Sequence, residues 1–375
     1  MNRRIFPSIL LLILAFFPGR GFCAELDSFV QTNLTSDLPG VAQNTDPNLV
    51  NPWGMAFSAT SPIWVSDNRT GLATIYNGTG LPLSLVVTIP GVGDAQGTPT
   101  GQVFNGTSAF NSDPFVFASE DGLVSGWRGA LGTTAEVLAD NSGAGSVFKG
   151  LALATIGSNS YLYAADFHNN QIVVTPSAGA PALTGNFTDP TLPAGYAPFD
   201  IKNIGGQLYV TYALQDAAKH DEVPGAGNGF VDVFDTSGTF VKRLISGGAL
   251  NSPWGMAIAP AGFGPFGGKL LVGNFGDGKI NVYDPTTGTF LDTLDDQNGN
   301  PIAILGLWGL EFGNGAQGTS TDALYFTAGI PEPGGAVEDH GLFGNIQQTP
   351  EPSSIFLLGS GLVGALGAIR RKLAS

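Results

Sequence analysis

Asn51-Pro52-Trp53-Gly54-Met55-Ala56 returns with one change as Ser252-Pro253-Trp254-Gly255-Met256-Ala257, and in shortened form as Leu307-Trp308-Gly309-Leu310. A phrase repeated at long intervals marks one supersecondary unit laid down several times, and it constrains the fold before any single residue is interpreted. Short apolar stretches of similar character fall between the copies: Gly106-Thr107-Ser108-Ala109-Phe110, Gly150-Leu151-Ala152-Leu153 and Phe199-Asp200-Ile201-Lys202. Trp53 to Trp308 is 255 residues in five steps, a mean period of about 51.

Within each unit a second stretch ends in a polar turn, as in Ile63-Trp64-Val65-Ser66-Asp67, Leu162-Tyr163-Ala164-Ala165-Asp166 and Leu270-Leu271-Val272-Gly273-Asn274. A third follows a Gly/Asn turn, as in Gln171-Ile172-Val173-Val174 and Lys279-Ile280-Asn281-Val282-Tyr283. A fourth is clearest at Phe240–Leu244 and Phe290–Leu294. Apolar alternation bounded by Asn, Asp and Gly predicts antiparallel strands, with no helical period to compete. Six units of four such strands predict an all-β chain, a six-bladed β-propeller of four-stranded antiparallel blades. The last unit is one strand short. Phe29-Val30-Gln31-Thr32-Asn33-Leu34 is expected to supply that strand, closing the ring from the N-terminus and hiding both edges. Gly54, Gly255 and Gly309 fit a crowded inner strand, and Trp53, Trp254 and Trp308 are expected to fill the wedges between blades.

Composition agrees. Of 375 residues 55 are Gly and 25 are Pro, charge is only 12%, and hydrophobic residues reach 43%, enough for a core. Six of the 15 basic residues lie at the two ends (Arg3, Arg4, Arg20, Arg370, Arg371, Lys372), which leaves the body of this −15 chain strongly acidic. Such a body repels nucleic-acid phosphates and favours cations or neutral glycans. With Cys23 as the single cysteine, no disulfide or thiolate site can form within the chain.

Both ends read as addresses. Residues 1–24 have a basic start, an apolar run from Ile9 to Phe17 and small residues before Ala24, the pattern of a secretory signal peptide. Residues 25–346 form the propeller and 347–375 a tail: Pro350-Glu351-Pro352, an apolar segment from Ser353 to Ile369, then Arg370-Arg371-Lys372. This order closely resembles the PEP-CTERM sorting signal of Gram-negative bacteria. The resemblance implies transient anchoring by a transmembrane helix in the inner membrane, processing by an exosortase-type peptidase, and delivery to the cell surface or an exopolysaccharide matrix. The body is similar to NHL-type propellers. Through Asn-Pro-Trp-Gly-Met-Ala, Gly227-Asn-Gly-Phe-Val-Asp-Val-Phe-Asp235 and Gly273-Asn-Phe-Gly-Asp-Gly278 it resembles an uncharacterised family of PEP-CTERM propeller proteins, which implies fold and location but no activity.

Chemistry is sparse. There is no Gly-x-Ser-x-Gly elbow or phosphate loop, and the three histidines, His168, His220 and His340, are too few for a His-rich zinc site. Asp67, Asp166 and Asn274 recur at the ends of second strands, where Asx residues bond the backbone of the following turn. Two interruptions of the repeat stand out. The second-to-third-strand turn expands in unit four to residues 215–229, carrying His220, Asp221 and Glu222, and in unit six to residues 331–340, carrying Glu338, Asp339 and His340. These loops share one face of the ring and can converge at the channel mouth. There the six side chains would line a site for a ligand or a divalent cation such as calcium; solvated charged loops are the plain alternative. Asp200, Lys202 and Glu311 are the ionisable residues expected on inner strands, lining the channel. The leading expectation is therefore a non-catalytic binding or scaffold protein for an extracellular glycan or protein. The alternative is a metal-dependent ester or lactone hydrolase resembling gluconolactonase-like propellers, disfavoured because those enzymes hold calcium on polar inner strands and these strands are nearly all apolar.

Overall fold

A computed structural model describes residues 28–349, apart from residues 94 and 333, and arranges them in six antiparallel sheets. The leader expected over 1–24 and the Pro-Glu-Pro tail with its expected transmembrane helix and basic cluster lie outside the described residues. Among the described residues no helix is long and apolar enough to cross a membrane.

The innermost strands are Pro52–Ala56, Pro99–Phe104, Phe148–Ile156, Tyr196–Ile204, Pro253–Ile258 and Leu307–Phe312. Each packs against the next, and the last packs against the first, so the ring closes. Blades one, two, four and five have four strands in simple up-and-down order, and blade three has three. Blade six is completed from the far end of the chain: Phe29–Ser36 runs antiparallel to Leu342–Gln348, in register from Phe29 opposite Gln348 to Ser36 opposite Leu342. Asn44–Thr45 then adds a short parallel edge. The sequence expectation for closure thus holds. Phe29 anchors it by stacking on Phe263 of blade five at 4.8 Å between ring centroids.

The glycines of the inner strands explain how the ring can be this tight. A Cβ on Gly54 would lie 2.5 Å from the Thr100 carbonyl oxygen, and one on Gly255 would lie 2.4 Å from that of Trp308, so neighbouring blades approach backbone to backbone. The same test corrects the reading of unit two. Its first strand is Pro99–Phe104, with Gly101 in the crowded place, 2.3 Å from the Leu151 nitrogen were it to carry a Cβ. Gly106–Phe110 is instead a loop leading into a 3-10 turn, because Asn105 ties its own segment back by accepting the Thr107 N–H and donating to the carbonyls of Ala109 and Asp113.

The tryptophans also depart from expectation. They are buried, but across the axis rather than in the wedges. Trp53 of blade one stacks on Trp308 of blade six at 3.5 Å and meets Trp254 of blade five edge-on at 5.9 Å. Blades one and five are not neighbours in the ring, so this contact crosses the channel. Phe167, Phe199 and Phe275 join the same cluster. Aromatic faces meeting edges and offset faces are a favourable packing, and here they plug the channel. The wedges are filled instead by residues such as Trp64, Ile75, Phe115 and Trp127 between blades one and two.

Candidate functional site at the acidic mouth

The plug divides the axis into two mouths, and the described charges gather differently at each. The mouth on the side of the second-to-third-strand loops is built around a residue that inspection of the sequence did not single out. In register, Phe148-Lys149-Gly150-Leu151 aligns with Pro52-Trp53-Gly54-Met55, so Lys149 occupies the place held by tryptophan in blades one, five and six. Its side chain is 1% exposed, and its ammonium lies 5.1 Å from the Trp53 ring centroid. A buried cation persists only with compensating partners. Glu120, from the tight turn of blade two, accepts from Lys149 Nζ at 2.5 Å, and Asp221 from blade four lies at 3.4 Å.

Burial alone would depress the Lys149 ammonium. The attraction of Glu120, Glu222 and Asp221 outweighs it and holds the lysine above its ordinary range. The carboxylates pay the reciprocal effect of being gathered. Burial pushes Glu222 up to about 7, with Lys149 opposing the rise and Glu338 and Asp221 adding to it. Burial likewise raises Glu338, although Asn51 donates to it at 3.1 Å. Asp221 is the exception. The hydrogen bond from His220 Nδ1, at 2.8 Å, holds it down at about 2 and raises the imidazole in return.

Second contacts fix these groups. Asn51 accepts from Trp308 Nε1 at 3.1 Å while donating to Glu338, which links the aromatic plug to the acidic layer. Asn68 donates to the other oxygen of Glu120 at 2.8 Å. Glu338 sits at φ 74°, a left-handed conformation that costs a residue with a Cβ and is tolerated where its surroundings over-determine it. One ligand atom from each of Glu120, His220 and Asp221 lies within 4.8 Å of the other two, the one such group of three acids or histidines among the described residues.

Of the six loop residues singled out in the sequence, four come together: His220, Asp221, Glu222 and Glu338. Two do not. Asp339 turns outward to Arg69 at 3.4 Å, and His340 bonds Asp37 Oδ2 at 2.6 Å, on the link between the N-terminal strand and blade one. Of the turn residues, Asp166 does bond the Asn169 N–H of its own turn, at 3.3 Å. Asp67 takes the Thr74 hydroxyl instead, and Asn274 accepts the Asn251 N–H from the incoming loop.

At the opposite mouth, Asp200, Lys202 and Glu311 are among the residues that line a cavity of about 360 Å³. They are not the only ionisable residues on inner strands, since Lys149 is another; it was missed because unit three was started one residue late, at Gly150. Lys202 pairs with Glu311 and also donates to the Leu310 carbonyl at 3.1 Å. The pair joins blades four and six and so spans the channel.

Residues 348–372 match the PEP-CTERM protein-sorting motif. Among solved structures the chain is similar to a glucose dehydrogenase (TM-score 0.53, 15% identity, 84% of this chain and 98% of that one). It is also similar to the soluble aldose sugar dehydrogenase of Escherichia coli (TM-score 0.52, 14% identity, 86% and 100%). At such identities the likeness concerns the fold alone. Two proteins of Acanthamoeba polyphaga mimivirus are nearer in sequence: uncharacterized protein R648, 34% identical over 86% of this chain and 81% of its own, and uncharacterized protein L690, 32% identical over 80% and 82%. With that identity sustained across most of each partner, the chain belongs to one family with R648 and L690, here in a form that carries a PEP-CTERM sorting motif.

Proposed function

We propose that the protein is a non-catalytic binding propeller of the cell surface or exopolysaccharide matrix, which holds a divalent cation at its acidic mouth. The observation that supports this most is the convergence of Glu120, His220 and Asp221 within 4.8 Å, beside Glu222 and Glu338, around a single lysine. Four carboxyl groups gather round one ammonium at a mouth floored by aromatic rings. Carboxylate oxygens suit calcium, and the imidazole extends the range to manganese or zinc. A cation there would leave outward coordination positions for the hydroxyl or carboxylate oxygens of a matrix glycan. Export, sorting by an exosortase-type peptidase through Pro350, Glu351 and Pro352, and passing anchorage by the apolar segment before Arg370, Arg371 and Lys372 would bring the ring to that matrix.

Titration calorimetry of the full chain with Ca²⁺, Mn²⁺ and Zn²⁺ tests the site. Binding is expected for at least one ion, with a loss of tenfold or more in the Glu120→Gln/Asp221→Asn double variant. No heat and no melting shift with any of the three would remove the cation from the proposal. Metal-dependent ester or lactone hydrolysis is a second reading, favoured by Glu222, whose carboxyl near 7 is suited to proton transfer at neutral pH. Turnover of lactones that EDTA abolishes and Glu222→Gln lowers at least a hundredfold would establish it; turnover indifferent to both would dismiss it.

A further inference from the structure

The cavity at the second mouth carries a feature that the acidic mouth does not explain. Directly after the tryptophan position, five of the six inner strands have a glycine: Gly54, Gly101, Gly150, Gly255 and Gly309. Blade four alone has Asp200 there. Five strands leave this layer bare, and the sixth places a carboxyl in it. A Cβ on Gly150 would fall 2.3 Å from Asp200 Oδ1, so the carboxyl occupies the space a side chain of the next blade would fill. Asp200 is 7% exposed, and apart from the Ile201 backbone N–H no donor among the described residues engages its oxygens.

The surroundings define a chamber. Trp254 lies at its inner end, Met55, Leu151, Met256 and Leu310 form apolar walls, and the Lys202–Glu311 pair crosses it toward the outer face. An unpaired carboxylate in such walls is costly, and a protonated one still lacks an acceptor. The ionised state is relieved by a cation that brings its own N–H donors. A divalent metal is a poor occupant: it needs several oxygen ligands, and the second carboxylate, Glu311, is already committed to Lys202.

We propose that this chamber binds a small organic ammonium ion, which donates its N–H groups to the Asp200 carboxylate and lodges its alkyl body against Met55, Met256, Leu310 and Trp254. Methionine and indole surfaces suit an alkylammonium group, through polarisable contact and the ring face. The proposal is independent of the cation at the opposite mouth.

Proton linkage supplies the distinguishing signature. Burial pushes Asp200 up to about 8, partly opposed by the Ile201 N–H and by Lys202 and reinforced by Glu311. Lys202 from its own strand and Glu311 from blade six are the charged groups acting on it; Lys149 on blade three directs its ammonium to Glu120 at the other mouth. Below that value, an ammonium ion must displace the carboxyl proton to bind. Calorimetry of the full chain with n-butylammonium chloride should therefore show binding that strengthens about tenfold per pH unit from 6 to 7.5. About one proton per site should be released to the buffer at pH 6.5. Asp200→Asn should weaken binding at least tenfold and leave the divalent-cation heat of the acidic mouth unchanged. Binding by glycerol, glucose or Ca²⁺ in this chamber but not by butylammonium, no heat at all, or butylammonium binding without proton release would each overturn the proposal. The proton count is measured on the unaltered chain, so the test stands even if the Asn variant fails to fold.

Discussion

Lys149 shows how one side chain can organise a face. It stands in a tryptophan's place and shares that position's burial, but it carries charge, so three loops have to bring carboxylates to it. Removing only the ammonium leaves those carboxylates packed together without compensation, and breaking a buried pair from one side costs about 3–5 kcal/mol. Lys149→Met should lower stability by that order at pH 7 in urea melts. At pH 5 the loss should shrink, because Glu222, raised to about 7, is then protonated. An equal loss at both pH values would mean that the lysine matters for packing alone. Asp200 makes the opposite case. Its folded-state pKa lies above the unfolded one, so the folded state holds the extra proton between about 4 and 8 and stability falls as pH rises through that window. Asp200→Asn removes the penalty. Its stability relative to the unaltered chain should grow from pH 5 to pH 8, by at most about 1.4 kcal/mol per unit. A difference that stays flat with pH would show that Asp200 is ionised in the folded protein. Both residues were legible only in register. Asp200 and Lys202 stand out in the sequence as charges on an apolar strand, whereas Lys149 falls just outside a unit that is started at Gly150.

The strands themselves were the legible part, for a physical reason: alternation and turn residues act within a few positions, and the sequence states them directly. Where the signal weakened, the assignment slipped. Thr100-Gly101-Gln102 is too polar to read as an inner strand, yet it is buried because Gln102 satisfies its amide on Ser66 and the Trp64 carbonyl, at 2.8 and 2.7 Å. That the loops of units four and six share a face is legible from the up-and-down strand order, but their meeting on Lys149 together with Glu120 of blade two is not, since it depends on the curvature of the ring. The closing strand carries its own prediction. Phe29 is buried against Phe263 and Phe266 and holds the N-terminal strand to blade five as well as to blade six. Phe29→Ala should cost about 3–5 kcal/mol, the usual range for deleting a buried aromatic ring. A change under about 1 kcal/mol in chemical melts would mean that the strand is held by its ladder alone.

At the scale of the whole molecule, the ring is closed by two segments, and the second of them runs into the sorting motif. The last described strand ends at Gln348, Thr349 donates its N–H to the Ser28 carbonyl at 2.9 Å, and the sorting motif begins at residue 348. Strand pairing therefore runs up to the Pro-Glu-Pro signal with no spacer, and Pro350 is well placed to end it, having no N–H to donate. Processing beyond that point would leave every described strand intact, whereas a cut a few residues earlier would remove the partner of Phe29–Ser36 and open the ring. With no disulfide available to hold it, an opened ring exposes two sheet edges and the apolar layer between blades five and six. A chain ending at Thr349 should thus melt as one cooperative transition at the temperature of the full chain. One ending at Gly341 should lose cooperativity and bind a hydrophobic dye before it unfolds. Identical melts for the two would show that blade six is dispensable, and that the sorting signal is free to be cut within the strand as well as after it.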